Sequence, residues 1–226
     1  MALGFSHEFN NMLAAILSNA EAARGQVSPD DPIGPYLDRI KSNTRTAIAL
    51  TRRIQMFTEN GAAECETVYL AAIASQIADE IRAEIPESSR LHTEDLDPAC
   101  TATAIPHLVR ESIASLLWNA IESLTEQCGD IRARVTRMCP GPTPDGAITL
   151  GTLPSDPCTV LEVADNGTGI PPTALSRIFD PFFTTRLRAR GLGLVPVVGL
   201  VNSCGASLQI ESEPDKGTTV RIYFSE

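Results

Sequence analysis

The chain has 226 residues, of which 43% are hydrophobic, 20% charged and 5% aromatic, and its formal net charge is −10. These proportions are typical of globular proteins and exclude a chain that is disordered throughout. The negative charge argues against a broad surface for nucleic acids or anionic membranes, so any phosphate site must be a local concentration of donors.

Neither the cysteines nor the apolar segments indicate export or membrane insertion. The six cysteines are scattered without paired metal-ligand spacing, and no secretion signal precedes them, so we expect reduced thiols and a cytoplasmic location. The longest apolar run, residues 192–201, contains a proline and is about half as long as a membrane span. We expect no membrane contact and no nucleic-acid partner.

Two amphipathic helices are predicted at the start of the chain. Residues 3–24 repeat apolar side chains at the spacing of one helical face: Phe5, Phe9, Leu13, Ile16 and Ala20. Residues 25–32 interrupt this pattern, and a heptad-like stripe follows from Ile33 to Phe57. Because one antiparallel hairpin cannot enclose its own apolar faces, we predict that residues 1–58 form a four-helix bundle in a homodimer.

A polar linker, residues 59–66, is predicted to join the hairpin to a second domain, residues 67–226. The expected elements of the second domain are strand 67–70, helix 71–84, strands 90–95 and 100–104, helix 106–127, strands 130–138 and 158–164, helix 193–203, and strands 206–212 and 218–224. We expect a surface loop at 139–157 with one short strand at 147–151. Strands and helices that do not alternate strictly predict an α+β fold, with helices on one face of a sheet.

The first helix carries a candidate phosphate acceptor. His7 and Asn11 lie four residues apart on one helical face, away from the apolar stripe, and Glu8 is adjacent to His7. A carboxylate that accepts a hydrogen bond from one imidazole nitrogen leaves the other nitrogen as a nucleophile. On these residues alone a solvated histidine is the simpler interpretation, so the chemical one requires a phosphate donor elsewhere in the chain.

The turn at residues 165–170 is a candidate nucleotide site. Asp165 ends a predicted strand, where its carboxylate can accept a hydrogen bond from an exocyclic amine such as that of adenine. Gly167 and Gly169 allow the backbone to approach a flat ligand closely. Thr218, which begins the last strand, is placed so that its hydroxyl reaches the base beside Asp165. When each is considered alone, the segment 165–170 and the segment before the last strand are both explained by ordinary turns.

Asn119 is a candidate metal ligand. It is predicted to lie among apolar residues of helix 106–127, where an unpaired amide costs about 1–3 kcal/mol. A Mg²⁺ ion that bridges nucleotide phosphates is a suitable partner, because hard cations take oxygen ligands. A hydrogen bond to nearby backbone is the alternative.

Residues 179–194 are predicted to form a mobile lid over ATP. Three arginines in this segment, at 186, 188 and 190, offset the acidic charge, and glycines at a helix start present backbone N–H groups to phosphate. The alternative is that the three arginines lie on a solvent-exposed, strand-like edge and do not contact phosphate. The nucleotide contacts that we assign here are Thr185, Arg190, Gly191, Leu192, Gly193 and Leu194.

Taken in order, these segments resemble the sensor histidine kinase family over essentially the whole chain. His7 to Asn11 is similar to the family's phosphoacceptor box, in the HExxN form of nitrogen-regulation-type and hybrid kinases. Asn119 is similar to the asparagine box. Three further boxes are matched, namely the first glycine box at 165–169, the phenylalanine box at 179–183 and the second glycine box at 191–194.

The resemblance implies a Bergerat-type α/β sandwich that binds ATP and Mg²⁺ and phosphorylates His7, which then passes the phosphoryl group to an aspartate of a response-regulator receiver domain. It implies that Glu8 orients the imidazole and that Asn11 helps to dephosphorylate the regulator. It further implies that Asn119 binds Mg²⁺ and that Asp165 contacts adenine.

The sequence departs from the family pattern at two positions. Ser115 stands where many relatives have a further asparagine, and Ala189 stands where a glycine often precedes the second glycine box. Two alternatives remain open: a phosphotransfer module with a degenerate nucleotide site, and another ATPase of the Bergerat group. The chain begins six residues before His7, so we expect a fragment without its sensor segment.

Overall fold

The computed structural model describes residues 2–28, 31–44, 47, 64–124, 129–175, 177–179 and 194–225, and only the backbone of residues 2–11 and 14. The chain divides into two compact units, Met1–Ala63 and Glu64–Glu226, and each is described by itself. Among the described residues, no helix combines the length and apolarity that crossing a membrane requires.

The first unit contains a helical hairpin. Helix α1, Ala2–Gln26, and helix α2, residues 34–44, are joined by a turn in which Asp31 Oδ1 accepts a hydrogen bond from Ile33 N at 2.9 Å. Arg24 Nε donates to Asp38 Oδ2 at 3.1 Å and so joins the two helices. Hydrogen bonds from Arg24 and then Lys41 lower the pKa of Asp38. Both helices were predicted; the rest of the second stripe lies outside the described residues, except Ala47, which is helical.

Part of the predicted apolar stripe stays exposed in a single copy of the hairpin. Leu13 and Ala20 of α1 are buried, as a core-facing stripe requires. By contrast, Ile16, Ile33 and Ile40 expose 46%, 55% and 44% of their surface. One hairpin therefore leaves apolar surface on both of its helices in contact with water.

The second unit is an α+β fold, as the sequence predicted. Its strands are β1 Glu66–Tyr69, β2 Arg90–His92, β3 Thr101–Ala104, β4 Asp130–Met138, β5 Ile148–Leu150, β6 Cys158–Asp165, β7 Ser207–Glu213 and β8 Gly217–Phe224. Six of them form one sheet in the order β2-β4-β6-β8-β7-β5, in which β2 and β4 are parallel and all other neighbours antiparallel. Strands β1 and β3 form a separate antiparallel pair.

A helical layer packs on this sheet. Its helices are α3 Leu70–Ile81, α4 Pro106–Ser123, α5 Pro172–Leu175 and α6 Val195–Cys204. Helix α4 contacts α3 and α6 as well as β4, β6 and β8. Apolar residues of α4 recur at helical spacing and are buried, while β4 alternates buried Ile131, Ala133 and Val135 with more exposed neighbours. The core of this unit lies between the two layers.

The structure differs from the predicted elements in several places. The strand predicted at 90–95 ends at His92. The helix predicted at 106–127 ends at Ser123, and Leu124 is extended with φ −68° and ψ 130°. The helix ends there because Ser123 O accepts a hydrogen bond from Thr168 N at 3.1 Å, a contact that periodicity does not encode. The short strand predicted at 147–151 is confirmed as β5, and because it pairs with β7 and extends the sheet by one strand, the segment 139–157 is more than the surface loop that was expected.

Candidate functional site

The carboxylate of Asp165 is held at the end of β6 by the end of α4. Its Oδ1 accepts a hydrogen bond from Gly167 N at 2.9 Å and lies 2.7 Å from the Ser123 hydroxyl oxygen. The Ser123 oxygen also lies 2.7 Å from Ala120 O, so its one proton has two acceptors within reach. These contacts fix one oxygen of the carboxylate and thereby its orientation.

Asn119 lies on the same helix, one turn before Ser123. Residues four apart on a helix lie on the same face, so Ser115, Asn119 and Ser123 follow one another along α4. Ser115 and Ser123 are buried and Asn119 is half-buried. The side chain proposed as a metal ligand is therefore one helical turn from the residue that contacts Asp165.

A row of polar residues crosses three strands beside Asp165. Thr218 is the direct partner of Asp165 between β6 and β8, and Ser212 is the partner of Thr218 between β8 and β7. Directly opposed residues of antiparallel strands project to the same face of the sheet. The hydroxyl oxygens of Thr218 and Ser212 are 2.8 Å apart, and Ser212 Oγ accepts a hydrogen bond from Ile170 N at 2.8 Å. The sequence placed Thr218 beside Asp165, and the register agrees.

The protein's own packing requires the two glycines after Asp165. A Cβ atom at Gly167 would lie 2.2 Å from Ser123 Oγ and 2.5 Å from Ser123 O. Gly169 has φ +64°, and a Cβ atom there would lie 2.0 Å from Glu213 O. The sequence assigned both glycines to the approach of a ligand. The structure adds an internal reason for each, and their contact with nucleotide stays a prediction.

Hydrogen bonds hold this turn on three sides. Thr168 N donates to Ser123 O at 3.1 Å, and Thr168 O accepts from Asp215 N at 2.9 Å. Asn166 Oδ1 accepts from Asp130 N at 2.7 Å. The turn is thus connected to α4, to the β7–β8 hairpin and to β4, so three elements position the backbone that follows Asp165.

The remaining predicted site residues divide into two groups. His7, Glu8 and Asn11 lie within α1, where only the backbone is described. Most of the predicted lid lies outside the described residues. The predicted site residues in that part are Thr185, Arg190, Gly191, Leu192 and Gly193. Leu194 is described, and its carbonyl oxygen accepts from Val198 N at 2.9 Å in the first turn of α6. Pro196 also lies in that first turn, where its missing backbone N–H is tolerated.

Sequence reasoning missed three residues of this site. Ser123 carried a usable signal, because it lies one helical turn after Asn119. No sequence signal identified Ser212, because its place beside Thr218 depends on strand register. Gly217 was not assigned to the site from the sequence, yet it has φ +104° and a Cβ atom there would lie 1.9 Å from Asp165 O.

Similar proteins are found by sequence. Residues 104–226 match the family model described as histidine kinase-, DNA gyrase B-, and HSP90-like ATPase. The sensor kinase CckA of Brucella abortus (strain 2308) is 31% identical over 99% of this chain and 24% of its own length. The sensory histidine kinase/phosphatase NtrB of Rhizobium leguminosarum bv. phaseoli is 25% identical over 99% of this chain and 57% of its own length. The chain thus spans only part of these relatives.

Solved structures share the fold. The crystal structure of full-length ShkA in complex with AMPPNP matches with a TM-score of 0.68 and 19% identity, over 99% of this chain and 46% of that one. The Acinetobacter baumannii histidine kinase AdeS matches with a TM-score of 0.58 and 15% identity, over 95% of each chain.

Proposed function

Because the chain belongs to the family of histidine kinase-, DNA gyrase B- and HSP90-like ATPases, we propose that it is the catalytic core of a sensor histidine kinase. In this proposal the second unit binds Mg-ATP, His7 in the first unit accepts the γ-phosphoryl group, and an aspartate of a response-regulator receiver domain takes it from His7. Relatives named as sensor or histidine kinases match both units, which supports the kinase over other ATPases of the family.

The contact between Ser123 and Asp165 carries the proposal for the nucleotide site. It brings the end of α4 to the end of β6, so the carboxylate acceptor lies next to the helix face that carries Asn119. The carboxylate would accept a hydrogen bond from the exocyclic amine of adenine. Thr218 lies opposite Asp165 and would supply a hydroxyl to the same base.

The residues present fit a nucleotide with one bound magnesium ion. Asn119 offers an amide oxygen, which is a ligand type that hard cations accept. A Mg²⁺ ion usually takes one or two protein oxygens and completes its coordination with phosphate oxygens and water. Bound Mg-ATP would supply the phosphoryl group and neutralise its developing charge, so the protein contributes mainly positioning. The predicted lid, with Thr185, Arg190 and residues 191–194, would cover the phosphates.

The first unit would contribute the nucleophile. Glu8 would accept a hydrogen bond from one imidazole nitrogen of His7 and so leave the other nitrogen unprotonated for attack. A bond from that nitrogen to phosphorus forms as the bond from phosphorus to the bridging oxygen of ATP breaks. Asn11, one turn further along α1, would position water when the regulator is dephosphorylated.

The exposed apolar residues of the hairpin support a homodimer. Ile16 lies on α1, while Ile33 and Ile40 belong to the start of the second stripe, and all three are exposed in a single chain. Packing two hairpins into a four-helix bundle would remove such residues from water, at about 25 cal/mol per Å² of apolar surface buried.

Autophosphorylation of a single histidine tests the proposal. The full chain is incubated with Mg²⁺ and γ-labelled ATP, and acid-labile label is measured for the original protein and for His7→Gln. We expect the variant to lose essentially all label. His107→Gln is the matched control, because His107 is exposed at the start of α4, and it should label normally. Undiminished label in His7→Gln would refute the assignment of the acceptor.

One alternative has an observation in its favour. Ser115 replaces the asparagine that many sensor kinases have one turn before the metal ligand, which is compatible with a module that relays phosphate without binding ATP. Calorimetry with Mg²⁺ and a non-hydrolysable ATP analogue separates the two functions. Saturable binding that requires Asp165 supports the kinase, and the absence of binding supports the relay module.

A further inference from the structure

Two cysteines that are far apart in the sequence meet next to Ile105. Cys65 directly precedes β1, whose first residue, Glu66, pairs with Ala104 of the antiparallel strand β3. Extending this register by one residue places Cys65 opposite Ile105. The backbone N–H of Ile105 donates a hydrogen bond to Cys204 Sγ at 3.4 Å. Cys65 and the sulfur of Cys204 therefore both lie next to the point where β3 leads into α4.

The two thiols differ in exposure, and the pKa of the half-buried one is raised. Cys65 is exposed, whereas Cys204 lies half-buried at the end of α6, and both are unoxidised. The pKa of Cys204 is raised to about 11, mainly because the thiol is half-buried. The hydrogen bond from Ile105 N lowers this pKa, whereas a hydrogen bond with the Cys65 thiol raises it further. The thiol of Cys65 is thus both accessible to solvent and in contact with a second thiol.

We propose that Cys65 and Cys204 are an oxidation site at which an intramolecular disulfide forms. A peroxide is the oxidant class that the proposal requires. The Cys65 thiolate attacks one oxygen of hydrogen peroxide, which gives a sulfenic acid and releases hydroxide, the latter becoming water. The Cys204 sulfur then displaces the sulfenic hydroxyl as water, so that the two thiols together lose two electrons and two protons.

Solvent access and a neighbouring thiol that can resolve a sulfenic acid are two features of peroxide-reactive cysteines, and Cys65 has both. Cys204 is the last residue of α6, and the glycine after it, Gly205, adopts the left-handed conformation that ends this helix. The disulfide would therefore connect the start of the second unit to the end of α6. It closes a loop that contains every element of the unit except β7 and β8, which restricts the unfolded chain and raises the temperature of unfolding.

Mass spectrometry of the full chain tests the oxidation directly. The reduced protein is treated with hydrogen peroxide at a small molar excess, remaining thiols are alkylated, and the protein is digested. We expect a monomer lighter by two hydrogens and one linked pair of peptides that contain Cys65 and Cys204. Cys65→Ser and Cys204→Ser should both abolish this species, and dithiothreitol should reverse it.

Cys139→Ser is the matched control, because Cys139 is also exposed and its removal should leave the linked peptides unchanged. Thermal unfolding gives a second readout: oxidation should raise the midpoint of the original chain and of Cys139→Ser, but not of Cys204→Ser. Oxidation of Cys65 to a sulfinic acid, a link to another cysteine, or only intermolecular dimers would each overturn the proposal. None of these readouts depends on kinase activity.

Discussion

The hydroxyl oxygen of Ser123 lies 2.7 Å from Asp165 Oδ1, which joins the last residue of α4 to the last residue of β6. Helix α4 also carries Asn119 one turn earlier, so the proposed base contact and the proposed metal ligand are positioned by the same helix. A displacement of the helix end should therefore affect both parts of nucleotide binding.

Replacing Asp165 by Asn should weaken nucleotide binding strongly. The substitution keeps the shape of the side chain but removes the charge from a hydrogen bond that we assign to the adenine amine. Hydrogen bonds to charged groups contribute about 1.5–3 kcal/mol, which corresponds to an increase of about 10- to 100-fold in Kd. Calorimetry with a non-hydrolysable ATP analogue measures this change. Asp156→Asn, in the exposed segment before β6, is the control and should bind with the original affinity.

Replacing Ser123 by Ala should have a smaller effect on binding and a measurable effect on stability. The variant loses one hydrogen bond to Asp165, so we expect the free energy of unfolding to fall by about 1 kcal/mol and Kd to rise by a few-fold. Urea unfolding and the same calorimetric titration measure the two quantities. Ser155→Ala changes an exposed serine and should alter neither. A loss of affinity as large as that of Asp165→Asn would contradict the supporting role given to Ser123.

Replacing Gly169 by Ala should destabilise the second unit by more than its backbone angle alone explains. The residue has φ +64°, and the new Cβ atom would meet Glu213 O. The left-handed conformation costs about 1–2 kcal/mol for a residue with a side chain, and the collision adds to that. Gly146→Ala isolates the first contribution, because Gly146 has φ +81° with open space around it. Chemical denaturation measures the free energy of unfolding of both variants. If Gly169→Ala and Gly146→Ala lose equal amounts, the contact with Glu213 O does not contribute to the destabilisation.

The stability of the second unit should depend on the ionisation of Cys204. The folded-state pKa is raised from 9.0 to about 11, so between these values the folded protein holds a proton that the unfolded chain has lost. Stability that is fully present below pH 9 should therefore decline as the pH rises through about 11. Unfolding of the reduced original chain and of Cys204→Ala is compared from pH 8 to 11. The difference between their free energies of unfolding should shrink with rising pH. A difference that stays constant would contradict the raised pKa of Cys204.

Replacing Ile40 by Glu should disrupt the proposed homodimer. Ile40 is exposed on α2 of a single chain, and a charge at a buried interface position is unfavourable because it loses its hydration. Light scattering after size-exclusion chromatography should give the mass of one chain for the variant and of two for the original. Asn43→Glu, at another exposed position of α2, should remain dimeric. If the original chain is itself monomeric at micromolar concentration, the dimer proposal fails.

Much of the secondary structure could be predicted because its signals are local. Apolar residues at helical spacing predicted 3–24, and α1 spans Ala2–Gln26. Period-two alternation predicted strand 130–138, which is the observed β4. Asp165 and its glycines were identified by residue types that suit a strand end and a turn. These properties depend on residues a few positions apart, and a sequence displays them directly.

The sequence by itself determined which residue types occur in the site, whereas the tertiary structure decided which of them meet. The end of α4 at Ser123 depends on a hydrogen bond from Thr168, and the row from Asp165 through Thr218 to Ser212 depends on strand register. The meeting of Cys65 with Cys204 depends on β1 and α6 converging at Ile105. Such contacts join segments that are tens of residues apart, and their energies come from packing that exists only once the chain has folded.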